Sequence, residues 1–165
     1  MEVWKVLEKY DHYSISNEGR VRSDLTNAVL AVATTPGGNA FVRMRQDGRQ
    51  VARGLALLVA ESFVPLPKLP IETPTPIHLD NDLMNCRASN LVWRPRWFAL
   101  KYTSQFHEDL GEAGPLRDIK TRTVYQSVWD VVHEHGVLFT DVVKATTNKT
   151  YVSPTLRCYE WVHPE

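Results

Sequence analysis

The stretch from residue 76 to residue 101 constrains this chain more than any other, because its polar and aromatic residues follow a fixed spacing. A histidine is followed by an aspartate two positions later, an asparagine after seven, and an Asn-Leu-x-Trp run after twelve. A turn signal at Asn81 and Asp82 separates two short apolar runs, and Pro95 suits the first turn of a helix that continues to Tyr102. The spaced residues are His78, Asp80, Asn85, Asn90, Leu91 and Trp93. The stretch is therefore predicted to fold as two short strands and one helix.

This spacing resembles the HNH nuclease motif, in the form found in phage group I intron homing endonucleases. That motif reads roughly H/D/N-H-x-D-G-x-x-x-N-N-x-x-x-N-L-x-W, and a short helix with a further Asn or His follows it. The resemblance implies a ββα-metal fold, in which one divalent metal ion works with a histidine that deprotonates water. On this alignment His78 corresponds to the general base, and Asn90 to the asparagine that braces the loop of the motif.

The two positions that hold the metal ion in this family carry aliphatic side chains here. One ligand normally stands just before the base and the other about nine positions after the bracing asparagine, which are Ile77 and Ala99 in this chain. A hard cation such as Mg²⁺ needs oxygen ligands, and neither side chain supplies one. The resemblance therefore implies a centre that has lost nuclease activity and needs no cofactor. If cleavage survives, it is expected to use Mg²⁺ or Mn²⁺ at a displaced site drawn from Asp80, Asp82 and Asn85.

Residues 1–65 are predicted to form a small β-rich module that one helix closes. Asp47-Gly48 is a hairpin signal, and apolar residues at helical spacing run from Leu55 to Phe63. The run V-W-K-V-L-E-K-Y-D-H-Y-S-I-S-N-E-G-R-V-R-S resembles the module that often precedes the HNH motif in these endonucleases. The matching residues at its end are Ser16, Asn17, Gly19, Arg20, Val21, Arg22 and Ser23.

The rest of the chain is predicted to follow as four further segments of a modular α+β protein. Residues 66–76 form a proline-rich linker, residues 77–104 the HNH-like ββα motif, and residues 105–115 a second, polar linker. Residues 116–165 resemble the repeat appended to many intron-encoded nucleases, which has a hairpin, a helix-turn-helix and a closing aromatic strand.

Local signals mark the two helices of this repeat. Ser127 with Asp130 predicts an N-terminal cap, Gly136 a C-terminal stop, and a second helix is expected from Thr140 to about Ala145. In the family the second helix meets the DNA groove. Here Leu138, Phe139 and Asp141 predict an apolar and acidic face, which suits phosphate poorly, so either the repeat binds DNA weakly or its surface has turned towards a protein partner.

The net charge and the local clusters of charge point to different partners. The chain carries 19 basic and 19 acidic residues, whereas DNA-binding proteins gain affinity by neutralising phosphates. Local clusters therefore matter more than the total. The predicted contacts with double-stranded DNA are Arg20, Arg22, Arg43, Arg45, Arg94, Arg96, Lys101, Lys144 and Lys149.

Composition excludes several other classes of protein. Only Cys86 and Cys158 are present, so a cysteine-rich zinc site is excluded and a disulfide is not expected. The longest apolar run is too short to span a bilayer, and the N-terminus lacks a leader pattern. We expect a protein without membrane association that resides in the cytoplasm of a bacterial host, at the nucleoid.

Three functions remain open from the sequence. The first is a phage or mobile-element protein that binds DNA without nuclease activity. The second is an active metal-dependent nicking endonuclease that uses His78 as its general base. The third is a repurposed protein-binding module, such as a phage regulator or an inhibitor of a host protein.

Overall fold

The computed structural model describes residues 1–10, 12–67 and 71–162 of the chain. The chain divides into two compact units, Met1–Arg96 and Trp97–Glu165. The described residues form small antiparallel sheets and four α-helices, which confirms the predicted mixture of α and β structure. Each of these helices is too short, or too polar, to cross a membrane.

The first unit begins with two three-stranded sheets and a helix. The first sheet has the order β1 (Trp4–Val6), β2 (Tyr13–Ser16), β3 (Val21–Ser23), and the second the order β4 (Ala33–Thr34), β5 (Ala40–Gln46), β6 (Arg49–Gly54). Asp47 and Gly48 connect β5 to β6 with φ angles of 51° and 74°, as the hairpin prediction requires. Helix α1 (Leu55–Phe63) has the predicted bounds.

One hydrophobic core joins these elements. Leu55, Leu58 and Val59 of α1 are buried in the same cluster as Ile15 of β2 and Val42 of β5. Burial of aliphatic side chains of this size stabilises a fold by about 1.5–3 kcal/mol each. The helix thus covers both sheets and makes residues 1–64 a single packed module.

The two strands of the stretch that resembles the HNH motif, which we call the HNH segment, belong to this unit as well. β7 (Pro74–His78) pairs antiparallel with β8 (Leu91–Pro95), and His78 lies opposite Leu91. Trp93 of β8 is buried, and its Nε1 donates to the carbonyl oxygen of Val64 at 2.9 Å. The HNH strands are therefore tied directly to the end of the N-terminal module.

Two sequence expectations need adjustment in this segment. β7 begins at Pro74, so the last residues of the proposed linker 66–76 are in a strand; residues 68–70 lie outside the described ones. Pro95 ends β8 instead of opening a helix, and α2 (Arg96–Gln105) starts one residue later. Pro95 pairs with Pro74 at the end of the ladder, where a residue without an N–H group is tolerated.

The second unit contains α2, a three-stranded sheet and a helix pair. The sheet has the order β10 (Val124–Tyr125), β9 (Leu116–Asp118), β11 (Tyr159–Trp161), and the helices are α3 (Val128–His135) and α4 (Phe139–Asn148). Ser127 Oγ accepts from the N–H of Asp130, whose carboxylate accepts from the N–H of Ser127. Gly136 ends α3 with a φ of 58°. The predicted cap, stop and closing strand are thus confirmed.

Candidate functional site

The loop between β7 and β8, residues 79–90, is closed by the side chain of Asn90. Its Oδ1 accepts from the N–H of Asp80 at 3.1 Å, and its Nδ2 donates to Asp80 Oδ1 and to the carbonyl of Asn85, both at 2.8 Å. The backbone of Asn90 also accepts from the N–H of Leu79 at 2.8 Å. Asn90 therefore links the start, the middle and the end of this loop, which we call the HNH loop.

The carboxylate of Asp80 is the second centre of this network. It accepts from Asn85 Nδ2 at 2.6 Å, from Asn90 Nδ2 at 2.8 Å and from the N–H of Asp82 at 2.9 Å. Burial acts to raise the pKa of Asp80, but the hydrogen bonds outweigh burial and hold the pKa below its ordinary value. Asp82 in turn accepts from the N–H of Met84 at 2.9 Å. The residues predicted for a displaced metal site are thus engaged in holding the loop.

His78 lies at the end of β7 with 8% of its surface exposed. Its Nε2 lies 3.7 Å from Sγ of Cys86, which is buried in the HNH loop. Burial lowers the pKa of His78, and the negative charges of Asp80 and Asp82 only partly oppose this shift. Burial also raises the pKa of the Cys86 thiol to about 11. At neutral pH the pair is therefore an uncharged imidazole beside a protonated thiol.

The residues at the family's metal-ligand positions do not fit a divalent cation. Ile77 is buried in β7 opposite Val92, and Ala99 is buried in α2. Neither side chain has an electron pair to donate. In the part of the chain that the structure describes, no three His, Cys, Asp or Glu side chains are grouped so that they could hold a metal ion.

Three of the predicted DNA-contacting arginines have partners within the first unit. Arg20 pairs with the carboxylate of Glu2, and the guanidinium of Arg22 lies 4.5 Å from the ring centroid of Trp4. Arg94 was expected on a basic edge but is only 8% exposed, and its Nη1 donates to the carbonyl of Trp93. Its prediction as a surface contact is wrong, because its side chain folds back onto the chain instead of extending into solvent.

The other predicted contacts lie at the surface. Arg43 and Arg45 are exposed on β5, where they alternate with the buried Val42 and Met44. This alternation puts both guanidinium groups on the outer face of the sheet. The predicted contacts in the second unit, Lys101 on α2, Lys144 on α4 and Lys149 after α4, are all exposed; Arg96, the first residue of α2, is exposed as well.

The prediction of an apolar and acidic face on α4, the second helix of the C-terminal repeat, is wrong. Leu138, which precedes α4, and Phe139, its first residue, are only 9% and 5% exposed, so both side chains are buried in the unit instead of forming an outer face. Asp141 is half-buried, and the exposed side chains of α4 are those of Thr140, Lys144, Thr147 and Asn148. The outer face of α4 is therefore polar and weakly basic.

Sequence reasoning missed two features. Cys86 stands where the HNH pattern has the second asparagine of its Asn-Asn pair, and that departure was a signal that a different side chain faces His78. Trp97 and Leu100 are 58% and 64% exposed on α2. Their spacing of three residues indicates a shared helix face, but nothing in the sequence tells an outward face from an inward one.

Comparisons with known proteins agree with this geometry. Residues 2–53 match the NUMOD4 motif. The chain is 34% identical over 92 residues to the H-N-H endonuclease F-TflII of Escherichia phage T5; the match covers 56% of this chain and 47% of that protein. The chain thus spans about half the length of its curated relative. Its fold is similar to that in a structure of DNA binding and cleavage by the HNH homing endonuclease I-HmuI, with a TM-score of 0.55, 17% identity and 99% coverage of both chains.

Proposed function

We propose that this chain, a relative of the phage HNH homing endonucleases, binds double-stranded DNA and does not cleave it. The observation that carries the proposal is the contrast inside the HNH segment. Asn90 and Asp80 hold the loop in place, while Ile77 beside His78 offers nothing to a cation. The framework of a nuclease motif is thus combined with side chains that do not support its chemistry.

The surroundings of His78 support the loss of cleavage. A general base must reach the water molecule that it deprotonates, either directly or through one other water. The imidazole of His78 is largely buried, and its Nε2 faces the thiol of Cys86. The leaving oxygen of a phosphodiester also needs its developing charge stabilised, and Ile77 and Ala99 cannot help to do so.

The outer face of α2 supports DNA binding. Its exposed side chains include those of Trp97, Leu100 and Lys101, and the helix contains no acidic residue. Nζ of Lys101 lies 5.5 Å from the ring centroid of Trp97. Cations of this kind pair with phosphates, and exposed aromatic or aliphatic side chains stack on bases or insert between them. A helix face that combines a cation with exposed apolar side chains is therefore better suited to contact DNA than to remain in water.

A nicking assay tests the loss of cleavage. Purified protein incubated with supercoiled plasmid and Mg²⁺ or Mn²⁺ is expected to leave the plasmid intact at moderate salt. Nicking that disappears in His78→Ala would overturn this part of the proposal and would favour the displaced metal site. A metal-dependent nicking activity gained by Ile77→Asp combined with Ala99→Asn would support the alignment of these two positions with the metal-ligand positions of the HNH motif.

A titration against duplex DNA tests binding. The affinity is expected to fall steeply as salt rises, and Trp97→Ala is expected to weaken it about tenfold through loss of an apolar side chain that can insert at a base step. Lys101→Ala should weaken binding and reduce the salt dependence. Lys120→Ala removes an exposed lysine from the β9–β10 turn and serves as the matched control. Absence of binding at low salt would overturn this part of the proposal.

A protein partner is the second candidate, since the chain is electrically neutral overall and exposes Trp97 and Leu100. Exposed apolar side chains that lie close together often mark protein interfaces. If this candidate holds, Trp97→Ala will leave DNA affinity unchanged. The net charge of zero also predicts weak affinity for unrelated DNA at physiological salt.

A further inference from the structure

A turn of the N-terminal module packs against the HNH loop. The carbonyl oxygen of Asn17 accepts from the N–H of Ala88 at 2.8 Å. Next to it, Glu18 Oε2 lies 3.2 Å from Nε of Arg87, in a pair that is largely exposed. Residues 16–20, which run from the last residue of β2 to the start of β3, thus contact three consecutive residues of the HNH loop, of which Cys86 is the first.

Gly19 leaves no room for a side chain in this contact. Its φ is +80°, and a Cβ added to it would lie 3.1 Å from the carbonyl oxygen of Cys86 and 3.2 Å from its carbonyl carbon. Contacts this short involve backbone atoms, which cannot rotate away as a flexible side chain can. Any larger residue at position 19 must therefore displace the backbone of Cys86 or the turn itself.

Cys86 carries this contact on to His78. Its Sγ lies 3.7 Å from the imidazole Nε2 and 3.7 Å from the carbonyl oxygen of Leu83, and its N–H donates to Met84 at 3.0 Å. Cys86 is only 3% exposed, so it fills the space on the Nε2 side of the ring. A shift of the Cys86 backbone therefore changes which atoms lie next to Nε2 of His78.

We propose that the turn at residues 16–20 is a positioning element for the HNH loop, which holds Cys86 against Nε2 of His78 and keeps solvent from that nitrogen. The inference concerns the surroundings of one histidine and does not depend on DNA binding. It makes Gly19 and Cys86 positioning residues, which act on the imidazole and on no substrate. It also assigns the N-terminal motif a role within the nuclease-like segment itself.

Two glycine substitutions with similar backbone strain separate this contact from a general loss of stability. Gly19 and Gly48 have φ values of +80° and +74°, so alanine is disfavoured at both positions. A Cβ at Gly48 would meet nothing within 4 Å, whereas one at Gly19 meets Cys86. Gly48→Ala is therefore the matched control for Gly19→Ala.

The measurement is the rate at which diethyl pyrocarbonate modifies His78, followed by peptide mass spectrometry and normalised to the exposed His107 of the same sample. We expect a severalfold faster modification of His78 in Gly19→Ala, with no change in Gly48→Ala. Ring ¹⁵N shifts of His78 should change in the same variant. Equal acceleration in both variants would overturn the proposal, because backbone strain alone would then explain the effect.

A second variant decides the question if Gly19→Ala does not fold. Cys86→Ala removes the thiol and leaves the turn contacts, none of which is made by the sulfur atom. His78 should then be modified severalfold faster and its ring ¹⁵N shifts should change, while the amide signals of residues 17–19 stay in place. Unchanged reactivity and unchanged ring shifts in Cys86→Ala would overturn the proposal.

Discussion

An aspartate closes a loop in each unit of this protein, but the two carboxylates are held in different ways. Asp80 accepts from the N–H of Asp82 at 2.9 Å, and Asp118 accepts from the N–H of Lys120 at 2.8 Å, so each one bonds to the backbone two residues ahead. The remaining partners of Asp80 are neutral amides. Asp118 instead pairs with the guanidinium of Arg157 at 2.5 Å.

Burial explains the difference. Asp118 is fully buried, and a buried charge is costly unless an opposite charge accompanies it. Asp80 is exposed, so water and amide hydrogen bonds are enough. The HNH loop therefore keeps the negative charges of Asp80 and Asp82 close to His78. A phosphate is repelled by such a loop unless a cation compensates its charge, which agrees with a loop kept for its shape.

The largest effect is expected from Arg157→Met, which leaves the buried Asp118 without its counter-charge. Breaking a buried ion pair typically costs about 3–5 kcal/mol of the free energy of unfolding, and the loss here should lie near about 3 kcal/mol because the Arg157 side chain is itself 36% exposed. Arg122→Met is the matched control, since Arg122 is 71% exposed and lies 3.8 Å from Glu160. It should cost less than about 0.5 kcal/mol. Urea denaturation compares them, and equal losses would show that burial does not set the strength of the Asp118 pair.

A smaller loss of stability is expected from Asn90→Ala in the HNH loop. This variant removes three hydrogen bonds made by the side chain, and we expect it to reduce the free energy of unfolding by about 2 kcal/mol. Asn85→Ala removes one side-chain hydrogen bond, at 2.6 Å from Asp80, and should cost about 1 kcal/mol. If the two variants were equally stable in urea, Asn90 would not be the main brace of this loop.

The smallest effect is expected in the dependence of stability on pH. Burial acts to raise the pKa of Asp118, but the Thr121 N–H, Arg157 and the Lys120 N–H outweigh it and hold the pKa below its ordinary value. The unfolded chain therefore binds more protons in acid. The ionised Asp118 carboxylate therefore stabilises the fold above the pKa of an aspartate in the unfolded chain, about 3.9. This stabilisation is lost as the pH falls through the lower pKa that Asp118 has in the folded protein.

The test compares the wild-type chain with Asp118→Asn. The stability gap between the two should be widest near pH 7 and should narrow below pH 4, as measured by urea denaturation at each pH. The difference in stability between the wild-type chain and Asp80→Asn should also narrow in acid, since the pKa of Asp80 is lowered as well. This difference should be smaller at neutral pH than for Asp118→Asn, because Asp80 is exposed. A gap that stays constant with pH would contradict the assignment.

Features set by neighbouring residues were predictable from the sequence. The cap at Ser127, the stop at Gly136 and the turn at Asp47-Gly48 each depend on a few consecutive residues, and the structure has all three. The strands and helix of the HNH segment were also predicted, with boundary errors of a few residues at Pro74 and Pro95.

Features set by distant residues were not predictable. The burial of Arg94, the pairing of Arg20 with Glu2 and the contact of Cys86 with His78 depend on tertiary packing. The face of α4 was misassigned for a related reason. The sequence pattern predicts Leu138 and Phe139 on the surface, and only the packing of the unit shows that the start of the helix points inward.

The hydrogen bond from the Trp93 indole to the Val64 carbonyl has a consequence for gene rearrangement. The proline-rich stretch between them is the obvious place for recombination to exchange one N-terminal segment for another. An exchange there would separate the indole donor from its acceptor, so the incoming segment must bring a carbonyl to the same point. Successful chimaeras should therefore bring an acceptor to the position of the Val64 carbonyl, and a crossover before α1 should be tolerated less well, because it would also split the core that this helix shares with both sheets.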